Sequence, residues 1–122
     1  MKHNILLLIT LFSISLSAQK GLKDYADFPI GSAISTWGYN RDTVSRDIHV
    51  REFNSITANN QMKMASIARE KGVYNFDPAD QMVAFAEKYN QRLFGHALVW
   101  HSSTPAWLSE IENNPVALDS FM

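Results

Sequence analysis

Residues 93–100 read LFGHALVW, and no other segment restricts the fold as tightly. Alternation sends Phe94, His96, Leu98 and Trp100 to one side of an extended strand and Leu93, Gly95, Ala97 and Val99 to the other. Both sides are therefore largely apolar. A strand of this kind has to be covered on both faces, which is the condition of a parallel sheet clad in helices.

The segments before it supply the partners such a sheet needs. Residues 28–34 (FPIGSAI) form a short apolar run consistent with a first strand, and residues 53–57 read as a second. Between them Asp42 or Thr43 is placed to cap a helix running through Glu52, with Val44 and Ile48 on one face and Asp47 spaced to pair with Arg51. Asp77 followed by Pro78 opens another helix, because Asp caps well and Pro suits the first helical position. Its core face is Met82, Phe85, Ala86 and Tyr89, at the i, i+3, i+4, i+7 spacing of one helical side. Residues 115–122 (PVALDSFM) start a third helix, with Val116, Leu118, Phe121 and Met122 ready to pack, and reach Met122 with no Gly, Asn or basic residue to close it. The order strand, helix, strand, helix, strand predicts an α/β barrel or a doubly wound sheet.

Residues 1–18 read as a secretory signal. Lys2 and His3 make a short basic start, residues 5–16 are apolar apart from Thr10 and serines, and Ser15, Ser17 and Ala18 supply small residues for cleavage. The apolar run is too short for a stable membrane span. The expected product is a domain over residues 19–122, exported to the periplasm or beyond and free of the membrane once cleaved. Cysteine is absent, which removes disulfides, thiolate chemistry and cysteine metal sites. A net charge of -1, with 46% hydrophobic and 19% charged residues, gives no electrostatic reason to expect nucleic acid or an anionic surface as partner.

Three polar clusters flanked by aromatics stand beside these elements: FNSITANNQMKM, GVYNFDPAD and FGHALVWHSSTPAW. Taken alone, Asn59 and Asn60 are turn residues and Lys63 is a solvated charge, while His96 and Trp100 are a hydrogen-bonded core histidine and a core tryptophan. Residues four apart on an extended strand sit about 13 Å from each other, so His96 and Trp100 meet one ligand only if the chain curls after Leu98. His96 and His101 fall on opposite faces of a strand, and no HExxH pattern accompanies them, so no metal site is expected.

Together the clusters resemble the front part of the family 10 glycoside hydrolases, the endo-1,4-β-xylanases with a (β/α)8 TIM barrel. TANNQMK, residues 57–63, is similar to that family's TxENxMK at the C-terminal end of the second strand, and GHALVWH, residues 95–101, to its GHxLxWH. The resemblance implies an α/β chain carrying about the first three βα units of the barrel, with the site at the C-terminal ends of the strands. It implies that Asn60 and Lys63 hydrogen-bond sugar hydroxyls, that His96 and Trp100 line the sugar site, and that His101, Asn59 and Ser103 stand next to it. The implied reaction is cleavage of internal β-1,4 bonds of xylan with retention, on xylan or xylo-oligosaccharides, by a monomer that needs no cofactor.

Three positions depart from the family pattern. Its usual Glu before the conserved Asn is Asn59 here, its usual Gln in WHxQ is Ser103, and its usual Arg before Gly-His is Phe94. Losing a charged acceptor and a long amide weakens the hydrogen-bond network expected around the glycone. The catalytic pair is not in view. A retaining glycosidase needs two carboxylates about 5 to 5.5 Å apart, and in the family they come from later strands. Asp77 and Asp80 read as helix-start residues and Glu110 and Glu112 as a solvated face, so no catalytic residue is assigned. A barrel needs about 250 residues, so a chain of 122 is expected to be an N-terminal part that holds glycone-binding residues and is inactive alone. The alternatives are a non-catalytic carbohydrate-binding remnant or a truncated product that does not fold.

Overall fold

The computed structural model describes residues 19–121, so the signal reading over residues 1–18 and the role of Met122 lie outside the described residues. Three parallel strands form one sheet in the order β1-β2-β3: β1 (Gly31–Ile34), β2 (Ser55–Ala58) and β3 (Arg92–Phe94). Their register pairs Gly31 with Ser55 and Ile34 with Ala58, then Ser55 with Arg92 and Thr57 with Phe94. Helices α1 (Thr36–Arg41) and α2 (Thr43–Glu52) connect the first two strands. Helices α3 (Met64–Ile67) and α4 (Asp77–Lys88) connect the next two, and α5 (Pro115–Phe121) ends the described chain. This is the repeated strand–helix–strand order that the two-sided apolar pattern demands.

The core lies between the sheet and α4. Ile34, Ile56, Ala58, Met82, Phe85 and Ala86 are buried, with Tyr39, Val50, Met62, Tyr89 and Leu93 packed against them. The predicted face of α4 is thus the observed one. Ile56 and Met82 are fully buried, each worth about 1.5–3 kcal/mol of apolar transfer. A second cluster of Met64, Ala68, Trp107 and Ile111 sits under the segment after β3, where Trp107 donates its indole N–H to the Ala68 carbonyl at 2.8 Å.

Several local expectations change. The strand expected over residues 93–100 ends at Phe94, after which the chain leaves the sheet. β3 pairs only with β2 among the described residues, and Phe94, Leu98 and Val99 are exposed rather than covered. β1 starts at Gly31 rather than residue 28, and Phe28 is exposed. The ion pair expected between Asp47 and Arg51 is replaced by pairs between sequence neighbours, Arg46 with Asp47 at 2.9 Å and Arg51 with Glu52 at 2.7 Å. Asp42 is the cap of α2, its carboxylate accepting from the Val44 and Ser45 N–H groups at 3.1 Å. The Val44 and Ile48 side of that helix faces solvent. Helix α4 begins one residue earlier than expected: Phe76 holds the cap position, Asp77 is already helical, and its N–H donates to the Asn75 side-chain oxygen at 3.0 Å. In α5, Val116 is exposed and Ala117 makes the contact with the second cluster.

The start of the described chain is latched onto the end of α2. The Leu22 N–H donates to the Glu52 carboxylate at 2.8 Å, and Lys23 reaches the Val50 carbonyl at 2.7 Å, a basic side chain closing a helix C-terminus. Gly21 is essential to that approach, because a Cβ there would lie 1.9 Å from the Arg51 carbonyl oxygen.

Candidate sugar-binding site

The site grows out of the turn that follows β2. At Asn59 the chain still bonds to its neighbour strand, its N–H donating to the Ile34 carbonyl at 2.9 Å. It then turns, with the Lys63 N–H donating to the Asn60 carbonyl at 3.1 Å. That turn folds Lys63 back so that its ammonium donates to Asn60 Oδ1 at 2.9 Å. The same ammonium lies 4.7 Å from the centre of the Trp100 ring. Two sequence clusters read separately are therefore one place in the fold.

Beyond β3 the chain bends, and the bend brings together what an extended strand would hold apart. The rings of His96 and Trp100 meet edge to face with centroids 6.1 Å apart. His101, the first residue of a 3-10 turn over His101–Ser103, meets Trp100 from another direction at 5.8 Å. Gly95 fits where a Cβ would come within 3.3 Å of the Met62 sulfur. The curl required for His96 and Trp100 to share a ligand is present, reached by an early exit from the sheet.

Of the residues singled out in the sequence, Asn60, Lys63, His96, Trp100 and His101 come together. Asn59 is exposed beside them, and Ser103 joins through its backbone N–H, which donates to the Trp100 carbonyl at 2.9 Å. None of these seven is a carboxylate. The group is an exposed indole, two imidazoles, amides and one ammonium, which together offer an apolar face and directed hydrogen bonds to a hydroxyl-rich ring. Among the described residues no set of three His, Asp or Glu side chains is arranged to hold a metal.

Two buried or bridging side chains had no clear mark in the sequence. Gln61 stands at the variable position of TANNQMK, yet its amide donates to Ser35 Oγ at 2.7 Å and accepts from the Asn60 N–H at 3.1 Å, tying the ends of β1 and β2 together. His49 was read only as part of a helix. It is buried, shares a 3.1 Å hydrogen bond between Nδ1 and Ser32 Oγ, and lies against Tyr39, Phe53 and Phe85. Burial foremost, and then the charge of Lys23, lower its pKa below the usual 6.5. Ser32 lies early in β1, so this histidine belongs to the core away from the Asn60, Lys63 and Trp100 cluster.

The turn geometry, the converging tryptophan and the parallel sheet agree with a comparison across protein families, in which residues 18–122 match glycosyl hydrolase family 10. The chain belongs to that family. Endo-1,4-beta-xylanase A of Caldicellulosiruptor saccharolyticus is 40% identical over 95 residues, covering 78% of this chain and 27% of that protein. Beta-1,4-xylanase of Dictyoglomus thermophilum is 41% identical over 93 residues, 75% of this chain and 25% of its own length. The endo-1,4-beta-xylanase structure from Caldicellulosiruptor owensensis superposes with a TM-score of 0.66 at 37% identity, over 74% of this chain and 27% of that one. A mutant solved with xylotriose gives 0.66 at 35% identity, over 75% and 27%. The chain thus spans about a quarter of the length of these two relatives. Its three βα units form part of the family 10 TIM barrel.

Proposed function

We propose that this chain supplies the glycone-binding part of an exported endo-1,4-β-xylanase, in which Asn60, Lys63, His96 and Trp100 hold a xylose ring. The observation that carries the reading is the convergence of Lys63 on both Asn60 Oδ1 and the Trp100 ring. A pentose presents vicinal hydroxyls and no charge, so it is bound by amides, an ammonium and an aromatic face rather than by ion pairing. His96 and His101 flank the indole and fix the plane on which a ring rests. Hydrolysis with retention needs a carboxylate pair, and the cluster contains none. The 122 residues alone therefore bind and do not cut.

The test uses the full-length gene product with xylo-oligosaccharides. Asn60→Ala and Lys63→Ala lower kcat/KM by a factor equivalent to about 1–3 kcal/mol, the range for a lost hydrogen bond to a bound group, with little change in Tm. Restoring the family residues, Asn59→Glu with Ser103→Gln, tightens binding of short oligosaccharides. Retained binding without product release would leave a non-catalytic carbohydrate-binding protein. Unchanged kinetics in both alanine variants would remove the sugar assignment.

A further inference from the structure

The turn after β2 is anchored to the neighbouring strand by a side chain. Parallel pairing of β1 with β2 reaches Ile34 beside Ala58, and a bond from the Asn59 N–H to the Ile34 carbonyl at 2.9 Å carries it one step further. Past that point Gln61 takes over. Its Nε2 donates to Ser35 Oγ at 2.7 Å while its Oε1 accepts from the Asn60 N–H at 3.1 Å, and an amide suits the task because one flat group carries both a donor and an acceptor. The Ser35 hydroxyl is diverted to make this bond. Ser35 stands at the start of α1, where a serine ordinarily caps the first turn, yet its side chain makes no capping bond there. Helix α1 forgoes its cap, and the hydroxyl goes to Gln61.

We infer that Gln61 is a positioning residue for the sugar cluster, holding Asn60, and through it Lys63, where a xylose ring meets them. The inference rests on the xylan reading above and adds a residue that acts through Asn60 rather than on the sugar. The other bonds of the turn show why it is needed. The Asn60 carbonyl accepts from the Lys63 N–H at 3.1 Å, and the Lys63 carbonyl accepts from the Ser66 and Ile67 N–H groups at 2.9 and 3.1 Å. The Asn60 N–H falls outside that set and is held by Gln61. Asn60 is exposed, whereas Gln61 and Ser35 are half-buried, so the amide that faces solvent is fixed from a more sheltered place. Lys63 in turn donates to Asn60 Oδ1 at 2.9 Å, which leaves the Asn60 NH2 to donate to a hydroxyl. The same ammonium stands 4.7 Å from the centre of the Trp100 ring. Contacts therefore run unbroken from Ser35 through Gln61, Asn60 and Lys63 to Trp100. A turn set before the ligand arrives avoids the ordering cost that a free turn adds to binding.

The test is a double-mutant cycle on the full-length protein with xylotetraose, run well below Tm. Gln61→Met keeps a side chain of similar length and makes neither bond. It should raise KM about 5–10-fold, the equivalent of one lost hydrogen bond, with kcat within about twofold of wild type. Ser35→Ala removes the far anchor and should move KM the same way. Gln61→Glu should stay near wild type, because a carboxylate accepts from both the Asn60 N–H and the Ser35 hydroxyl. Asn60→Ala keeps the backbone N–H that Gln61 holds and deletes only the side chain it positions, so adding Gln61→Met to Asn60→Ala should change kcat/KM by less than about twofold. A full additional loss in that background would show general support of the fold and overturn the inference. A Gln61→Met enzyme with wild-type KM, or a Gln61→Glu enzyme as impaired as Gln61→Met, would overturn it too. With Asn60→Ala itself impaired, those outcomes leave the xylan reading standing. Unchanged kinetics in Asn60→Ala would overturn that reading and this inference with it.

Discussion

Mild acid is expected to weaken this fold through one side chain, His49. Its ring is 3% exposed and packed 4.9 Å from Phe53, 5.2 Å from Tyr39 and 6.4 Å from Phe85. Nδ1 has Ser32 Oγ, whereas Nε2 is buried without a hydrogen-bond partner. Burial, helped by Lys23, lowers the folded pKa below 6.5. Below pH 6.5 the unfolded ring takes up a proton that the folded ring resists, so the unfolded state binds more protons and stability rises with pH in that range. The contribution is complete above 6.5 and is lost as the pH falls toward the folded value. At pH 5.5 the ceiling is about 1.4 kcal/mol, reached only if the folded ring takes up no proton. The carboxylates with lowered pKa act elsewhere. Asp42, held down mainly by its hydrogen bonds to Ser45, and Glu52, mainly by its bond to Arg51, lose their contribution only below their usual 3.8 and 4.5. Urea unfolding at pH 7 and pH 5.5 reads the effect, with His49→Phe as the non-titrating comparison. That variant keeps an aromatic ring and removes the orphan Nε2, while the half-buried Ser32 hydroxyl loses a bond worth about 1 kcal/mol, so it should lie close to wild type at pH 7. Wild type should lose stability between the two pH values and the variant should not. Equal losses in both proteins would refute the assignment.

Two further outcomes follow from packing. Met82→Ala empties a fully buried position facing the sheet and should cost about 2–5 kcal/mol in denaturant titrations, and Gly21→Ala should lower Tm by forcing the Leu22–Tyr25 turn off α2, where the Arg51 carbonyl stands 1.9 Å from the added Cβ. A polypeptide of residues 19–122 alone should bind a hydrophobic dye and associate on concentration, because Phe94, Leu98 and Val99 are exposed beside a parallel strand edge; a sharp cooperative melt of a monomer without dye binding would count against this.

Much of the site was legible because its residues sit in short, local patterns. The turn of TANNQMK was placed correctly at the end of β2, since small and amide residues after an apolar run end a strand whatever surrounds them. The bend that lets His96 and Trp100 meet was legible only as a condition. Whether it occurs depends on how far β3 remains paired, and pairing is a property of the neighbouring strand. The role of Gln61 was invisible for a similar reason: its partner, Ser35, lies at the end of a different strand.

The sequence by itself determined the alternation of strands and helices and the buried face of α4, because hydrophobic period and local turn chemistry act over a few residues and need no knowledge of distant ones; the family was legible only through the resemblance of TANNQMK and GHALVWH to its motifs. Tertiary structure alone decided the rest. The Val44 and Ile48 stripe faces water while His49, on the same helix, goes inside, because Ser32, Tyr39, Phe53 and Phe85 surround it. Lys63 ceases to be a solvated charge only when the chain after β3 folds back and sets Trp100 against it. Contacts between residues so far apart in sequence arise from packing the parallel strands side by side, and no local pattern encodes them.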